Sequence, residues 1–150
     1  MNDILVFRDE NFYLSNFYEC SIEYDGLTYL NAEAAFQAQK CKGMKVNFSI
    51  PVNDPRETFT YLNPVEAKRW GRKIPLRPDW EQVKIDIMKD VVRAKFNQHP
   101  DLKEKLLSTG DCHIEECNHH RDKFWGTVNR VGENHLGIIL MELRDEFRNE

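Results

Sequence analysis

No uninterrupted apolar run in this 150-residue chain exceeds four residues, as at Ile138–Met141, far below the ~20 that cross a bilayer. No membrane partner is therefore expected. The amino terminus, Met1-Asn2-Asp3-Ile4-Leu5, lacks the basic region, apolar stretch and small-residue cleavage site of a secretory signal, so a cytoplasmic location is expected. Glycine and proline are scarce, at seven and six residues, which excludes collagen-like and low-complexity chains. The four cysteines, at 20, 41, 112 and 117, include no CxxC pair and read first as reduced thiols that pack as small hydrophobes. A phosphate-cradling Gly-rich loop and a dinucleotide fingerprint are both missing, and no cofactor is expected.

What is present suffices for a core: 41% of residues are apolar and 31% charged, which fits a single domain over residues 1–150 that needs neither metal nor disulfides to fold. The net charge of −4 is unevenly spread, with −6 over residues 1–39, +6 over 40–77 and −4 over the rest. A basic middle in an acidic protein suggests a local anion site rather than a general nucleic-acid coat. A solvated basic face is the competing reading.

Residues 18–24 alternate, with Tyr18, Cys20, Ile22 and Tyr24 on one face, as in a half-buried strand. Asp25-Gly26 supplies a hairpin turn and Leu27-Thr28-Tyr29 the return; Asp3 to Phe7 is a candidate third strand. Asn31 is placed to cap a helix from Ala32 to about Lys40, whose one face carries Glu33, Phe36, Gln37 and Lys40. Residues 41–62 read mostly as loop. Asn63-Pro64-Val65-Glu66 has the cap, first-turn proline and third-position glutamate of a helix start, ending near Gly71. The longest helix is expected from Asp79 to about Asn97, with Val83, Ile87, Val91 beside Met88, Val92, Phe96. A short helix follows from Pro100 to Thr109, stopped by Gly110. Residues 111–133 read as irregular or weakly extended, and Asn134 is expected to cap a last helix lined by Leu136, Leu140, Leu143 and Phe147. The fold class is therefore α+β: helix-rich, with a small antiparallel sheet.

Three constellations bear chemistry. The first is Glu33 early on a helix, Trp80 at a helix start, and Asp122-Lys123-Phe124-Trp125-Gly126 in an irregular stretch. Cleaving a ribose-to-nitrogen bond builds positive charge on the sugar, which a carboxylate stabilises while a second group protonates the leaving base or activates water. Indole faces suit a flat heterocycle or a cationic sugar. A dipole-favoured helix-start Glu, a turn-capping Asp and core tryptophans are the structural alternative. The second is Cys112-His113-x3-Cys117-x-His119-His120, four zinc donors at 112, 117, 119 and 120 within nine residues, though adjacent histidines in an extended segment diverge. The third is Lys68-Arg69-Trp70-Gly71-Arg72-Lys73, whose arginine forks suit phosphate oxygens; its interleaved tryptophan also admits nucleic acid, which a pI of 5.8 ranks second.

The string Phe12-Tyr13-Leu14-Ser15-Asn16-Phe17-Tyr18, followed by Ile22-Glu23-Tyr24-Asp25-Gly26-x-x-Tyr29-x-x-Ala32-Glu33-Ala34-Ala35-Phe36-Gln37-Ala38-x-Lys40, resembles the start of the NADAR (NAD- and ADP-ribose-associated), or YbiA-like, family. Ala67-Lys68-x-x-Gly71-Arg72, Leu76-Arg77-x-Asp79-Trp80, Asp122-x-x-Trp125-Gly126 and Gly132-x-Asn134-x-Leu136-Gly137 follow in family order. Residues 41–62 depart most. The resemblance implies an N-glycosidase that splits a ribosyl C–N bond, either in phosphoribosylamino pyrimidines of early riboflavin synthesis, giving ribose 5-phosphate, or in ADP-ribosylated guanine, including in nucleic acid. It places the essential set on Glu33, Trp80, Asp122 and Trp125; Asn16, Phe17, Lys40, Arg72 and Gly126 are the further candidate substrate contacts. The expected site is a cleft between the hairpin end, the Glu33 helix and the Asp122 loop, with Glu33 nearest the sugar and Asp122 as water activator or leaving-group acid. Lys40 is expected to bind phosphate, with a Schiff base to ring-opened ribose as its second possible role. The other classes to separate from the enzyme are an ADP-ribose or NAD binding module without turnover and a zinc-stabilised interaction domain.

Overall fold

The computed structural model describes residues 2–45 and 53–150, which fall into two compact units, Asn16–Gln98 and Met1–Ser15 with His99–Glu150. In the first, strand β1 (Glu19–Tyr24) pairs antiparallel with β2 (Leu27–Asn31), in register Ile22 to Tyr29 and Tyr24 to Leu27. Asp25 and Gly26 both take positive φ, 49° and 87°, the geometry that a two-residue turn between right-twisted strands requires. Ile22 and Tyr29 point into the core while Glu19, Ser21 and Glu23 face solvent, so the alternation holds.

The Asn31 side chain accepts from the Ala34 amide at 2.7 Å and starts α1 (Ala32–Ala38). Every residue of α1 is buried. Its alanines leave room for β2, for α2 (Pro64–Gly71) and for a 3-10 helix over Pro55–Tyr61 to approach it. That 3-10 helix was not legible in a stretch expected to be loop; it starts where Asp54 accepts from the Arg56 amide and Pro55 fixes its first turn. Residues 46–52 of the expected loop lie outside the described residues. The capping box at Asn63 and Glu66 forms in both directions. Helix α3 (Trp80–Gln98) buries Met88, Val91, Val92 and Phe96, and with them Lys95, only 1% exposed. Burial lowers the Lys95 ammonium to about 8, against an opposing contribution from Cys20.

The second unit holds a 3-10 helix (Asp9–Leu14), α4 (Pro100–Ser108) and α5 (His135–Arg148). Leu136, Leu140, Leu143 and Phe147 are buried along α5 as the pattern predicts. Buried Arg144 donates to Thr109 Oγ1 and to the Cys112 carbonyl, each at 2.9 Å, at the end of α4. Two expectations fail here. Asp3 to Phe7 is no strand but contributes a single parallel bridge, Ile4 to Ile114. Asn134 precedes α5 in a left-handed conformation (φ 54°, ψ 41°) and its side chain makes no cap bond. Instead its amide donates to the Ile114 carbonyl and accepts from the Glu116 amide, each at 3.0 Å, because an extended backbone nearby offers it both partners. Among the described residues no helix is long and apolar enough to cross a membrane.

Candidate active site

The unit Asn16–Gln98 brings together Asn16, Phe17, Glu33, Lys40, Arg72 and Trp80. Glu33 sits in the first turn of α1, where the helix dipole favours a carboxylate. Its backbone amide donates to the Asn16 carbonyl at 3.0 Å, and Asn16 is itself fixed by donating its side-chain amide to Met88 Sδ. The Glu33 side chain is buried, and its Oε1 accepts from Gln37 Nε2 at 3.0 Å. Trp80, also buried, lies 5.1 Å from the Phe36 ring and forms a wall beside Lys40, whose Nζ stands 6.0 Å from the indole centroid.

Lys40 follows α1 in a 3-10 turn over Gln39–Cys41, not on the helix itself, and donates to the Gly71 carbonyl at 3.3 Å. Burial lowers its ammonium below the usual lysine range; Glu33 counters this, while Arg72, Lys84 and Lys68 reinforce it. Lys40 thus feels one buried carboxylate, Glu33, and three further cations, Lys68 of α2, Arg72 just after it and Lys84 of α3, of which Lys84 is itself paired with Glu81 at 2.7 Å. Lys68 Nζ also stands 6.0 Å from the Phe17 ring. Lys68 belongs to the basic stretch 68–73 that the sequence pointed to, whereas Phe36, Gln37 and Lys84 were not singled out as site residues. For Gln37 the signal was available, since it lies four residues after Glu33 on the same helical face.

Asp122, Trp125 and Gly126 lie in the other unit, on an irregular loop organised by Asn118. Asn118 Oδ1 accepts from the amides of His120 and Asp122, and its Nδ2 donates to the carbonyls of Asp122 and Thr127. Asp122 Oδ1 in turn accepts from the amides of Phe124 and Trp125. Trp125 is partly exposed and meets the rings of Phe124 (4.8 Å) and His135 (6.2 Å) edge-on. Gly126 is buried and engaged through its carbonyl, which accepts from Asn134.

The thiol and imidazole set does not form a zinc site. Cys112 is buried, His119 and His120 are exposed, and Cys117 is engaged with Glu115 and Thr127. No group of three or more potential metal ligands exists among the described residues. What gathers there is a carboxylate hub: buried Glu115 accepts from Thr127 Oγ1 (2.6 Å) and Arg130 Nε (2.9 Å), with His113 at 3.0 Å. Burial acts to raise its pKa, but the Thr127, His113, Arg130 and Cys117 contacts outweigh it and hold the carboxyl at about 2.

A fold with a two-stranded sheet and an Ala-rich central helix matches proteins already known. The NADAR domain model matches residues 6–148. The chain is 41% identical over 138 residues to the N-glycosidase Npun_R5314 of Nostoc punctiforme, covering 90% of this chain and 85% of that protein. It is 37% identical to the N-glycosidase YbiA of Escherichia coli, covering 91% and 81%, and the NMR structure of E. coli YbiA superposes with a TM-score of 0.80 at 34% identity, covering 99% of this chain and 88% of that one. The riboflavin biosynthesis protein VVA0006 of Vibrio vulnificus is 35% identical over 143 residues; the chain spans only 37% of its length. The chain belongs to the NADAR family. It is an N-glycosidase, and the reading of a binding module without turnover is set aside.

Proposed function

We propose that this N-glycosidase hydrolyses the ribosyl C–N bond of a phosphoribosylamino pyrimidine, releasing ribose 5-phosphate and the free base. The observation that carries this is the buried Glu33 carboxylate acting on Lys40, a cation that Lys68, Arg72 and Lys84 also influence. A phosphorylated ribose presents an anion to the cations and a cationic C1′ to the carboxylate as its bond to nitrogen breaks. The riboflavin biosynthesis name of the Vibrio relative supports the pyrimidine leaving group.

In this scheme the C1′–N electron pair leaves with the base nitrogen, Glu33 stabilises the positive sugar ring, and a water oxygen bonds to C1′. Asp122 supplies the proton to the leaving nitrogen or takes one from the water, and the other proton balance closes through solvent. Trp125 offers its indole to the base. Assigning Asp122 and Trp125 to the same turnover rests on the family resemblance of Asp122-x-x-Trp125-Gly126.

The burial that lowers Lys40 favours a second reading of that residue, as an amine. Its nitrogen would bond to C1′ as the base leaves and the ring C1′–O4′ bond opens, giving an imine that water later releases. Borohydride added during turnover would reduce that imine and leave a ribose phosphate adduct on Lys40, readable by mass.

The deciding experiment offers the purified protein a phosphoribosylamino pyrimidine and ADP-ribosylated guanine, free and in DNA, side by side. Ribose 5-phosphate released from the first is the expected result. Release of ADP-ribose from the second alone transfers the proposal to that substrate, and no release from either overturns it.

A further inference from the structure

We propose that Gln37 and Gly71 form a positioning pair for the Glu33 carboxylate, an inference that rests on Glu33 acting in the reaction. Gln37 lies one turn after Glu33 on α1 and donates from Nε2 to Glu33 Oε1 at 3.0 Å. Both side chains are buried, so solvent does not compete for the bond. The other end of the same amide, Oε1, is buried without a hydrogen-bond partner. It faces Gly71 of α2, where a Cβ would overlap both Oε1 and the amide carbon of Gln37.

A buried carbonyl left without a donor is costly. Turning the amide over would set that oxygen against the Glu33 carboxylate and replace attraction by repulsion. The amide is therefore held donor-first toward Glu33, and the missing side chain at position 71 is what leaves it room. Gly71 also reaches the neighbouring cation, because its carbonyl accepts from Lys40 Nζ at 3.3 Å. One residue at the end of α2 thus sets Glu33, through Gln37, and Lys40 directly. A carboxylate that must face developing charge at C1′ depends on fixed orientation rather than on strength of contact alone.

The test uses the full chain and whichever substrate the side-by-side assay identifies. Gln37→Met removes the donor at similar length. It is expected to lower kcat on the order of 10- to 100-fold, with KM little changed, and to move the acid limb of the kcat/KM profile to higher pH, since a carboxylate that loses a donor protonates more readily. The charged groups that act on Lys40 beside Glu33 are Lys68 of α2, Arg72 just after it and Lys84 of α3, the last paired with Glu81; none is altered by the substitution, and the resonance below assigns the shift to Glu33. The carboxyl carbon resonance of Glu33, titrated without substrate, should move in the same direction. Gly71→Ala should lose similar activity, and the double variant Gly71→Ala/Gln37→Met no more than either single one, because both act on the same amide. If Gly71→Ala fails to fold, Gln37→Met decides. Wild-type kcat and an unmoved titration in Gln37→Met, with turnover lost in Glu33→Gln, overturn the positioning role and leave Glu33 standing. Turnover retained in Glu33→Gln overturns both.

Discussion

Asp122 Oδ1 accepts the backbone amides of Phe124 and Trp125, at 3.1 and 2.9 Å, so one carboxylate oxygen fixes the turn that presents the indole. The acid and the aromatic of the loop are therefore a single mechanical piece. One oxygen of Asp122 serves structure, and the chemistry proposed for this residue falls to the other.

Asp122→Asn keeps an acceptor for the turn while removing the acid. It should melt within about 1 kcal/mol of wild type and lose on the order of 10²- to 10⁴-fold in kcat. Asp122→Ala should lose the turn as well, by about 0.5–2 kcal/mol on the scale of lost caps. Near wild-type turnover in Asp122→Asn, measured beside its melting curve, removes Asp122 from the chemistry.

Trp125→Ala separates site from core. Loss of stacking by about 1–3 kcal/mol corresponds to roughly one to two orders of magnitude in kcat/KM, with partial recovery in Trp125→Phe. A core role predicts instead a folding loss of about 3–5 kcal/mol. Kinetics and melting on the same preparations distinguish the two, and the partial exposure of Trp125 predicts the first pattern.

Lys95 gives a stability signature at alkaline pH. Its folded pKa, about 8, lies below its unfolded value, so the unfolded chain binds more protons between pH 8 and about 10.5. Burial of the ammonium is thus a full penalty below about pH 8, relieved as pH rises through that interval. The stability of Lys95→Met relative to wild type should therefore fall across it, by roughly 1–3 kcal/mol, in denaturant titrations at pH 7 and pH 10. A pH-independent difference between the two proteins would mean that Lys95 keeps its proton as readily folded as unfolded.

Glu115 gives the opposite sign at acid pH. Its carboxyl, held at about 2, lies below its unfolded value, so its stabilisation is complete above about pH 4.5 and disappears as pH falls toward 2. Glu115→Gln should flatten the acid melting profile in that window while its stability at pH 7 falls. An acid profile superimposable on wild type would show that other carboxylates govern acid unfolding.

The sequence alone determined the elements whose causes are local. Asn31 capping α1, the reciprocal bonds of Asn63 and Glu66, the turn at Asp25-Gly26 and the apolar face of α5 follow from residues within a few positions of one another, where chain connectivity already brings the partners close. Glu33 stood out as a candidate because the chemistry of an N-ribosyl bond and the family motif converge on it, and the structure adds its burial in the first turn of α1. Tertiary structure decided the rest. Asn134 abandons its expected cap because the Ile114 and Glu116 backbone offers both ends of its amide a partner. Cys112, Cys117, His119 and His120 are close in sequence yet differ in burial and partners, and only the fold recruits Thr127 and Arg130 to Glu115. Gln37 facing Gly71, across 34 positions, is the same case: whether a buried amide oxygen meets a donor, a side chain or bare backbone depends on how closely α1 and α2 approach, a distance that no local spacing encodes.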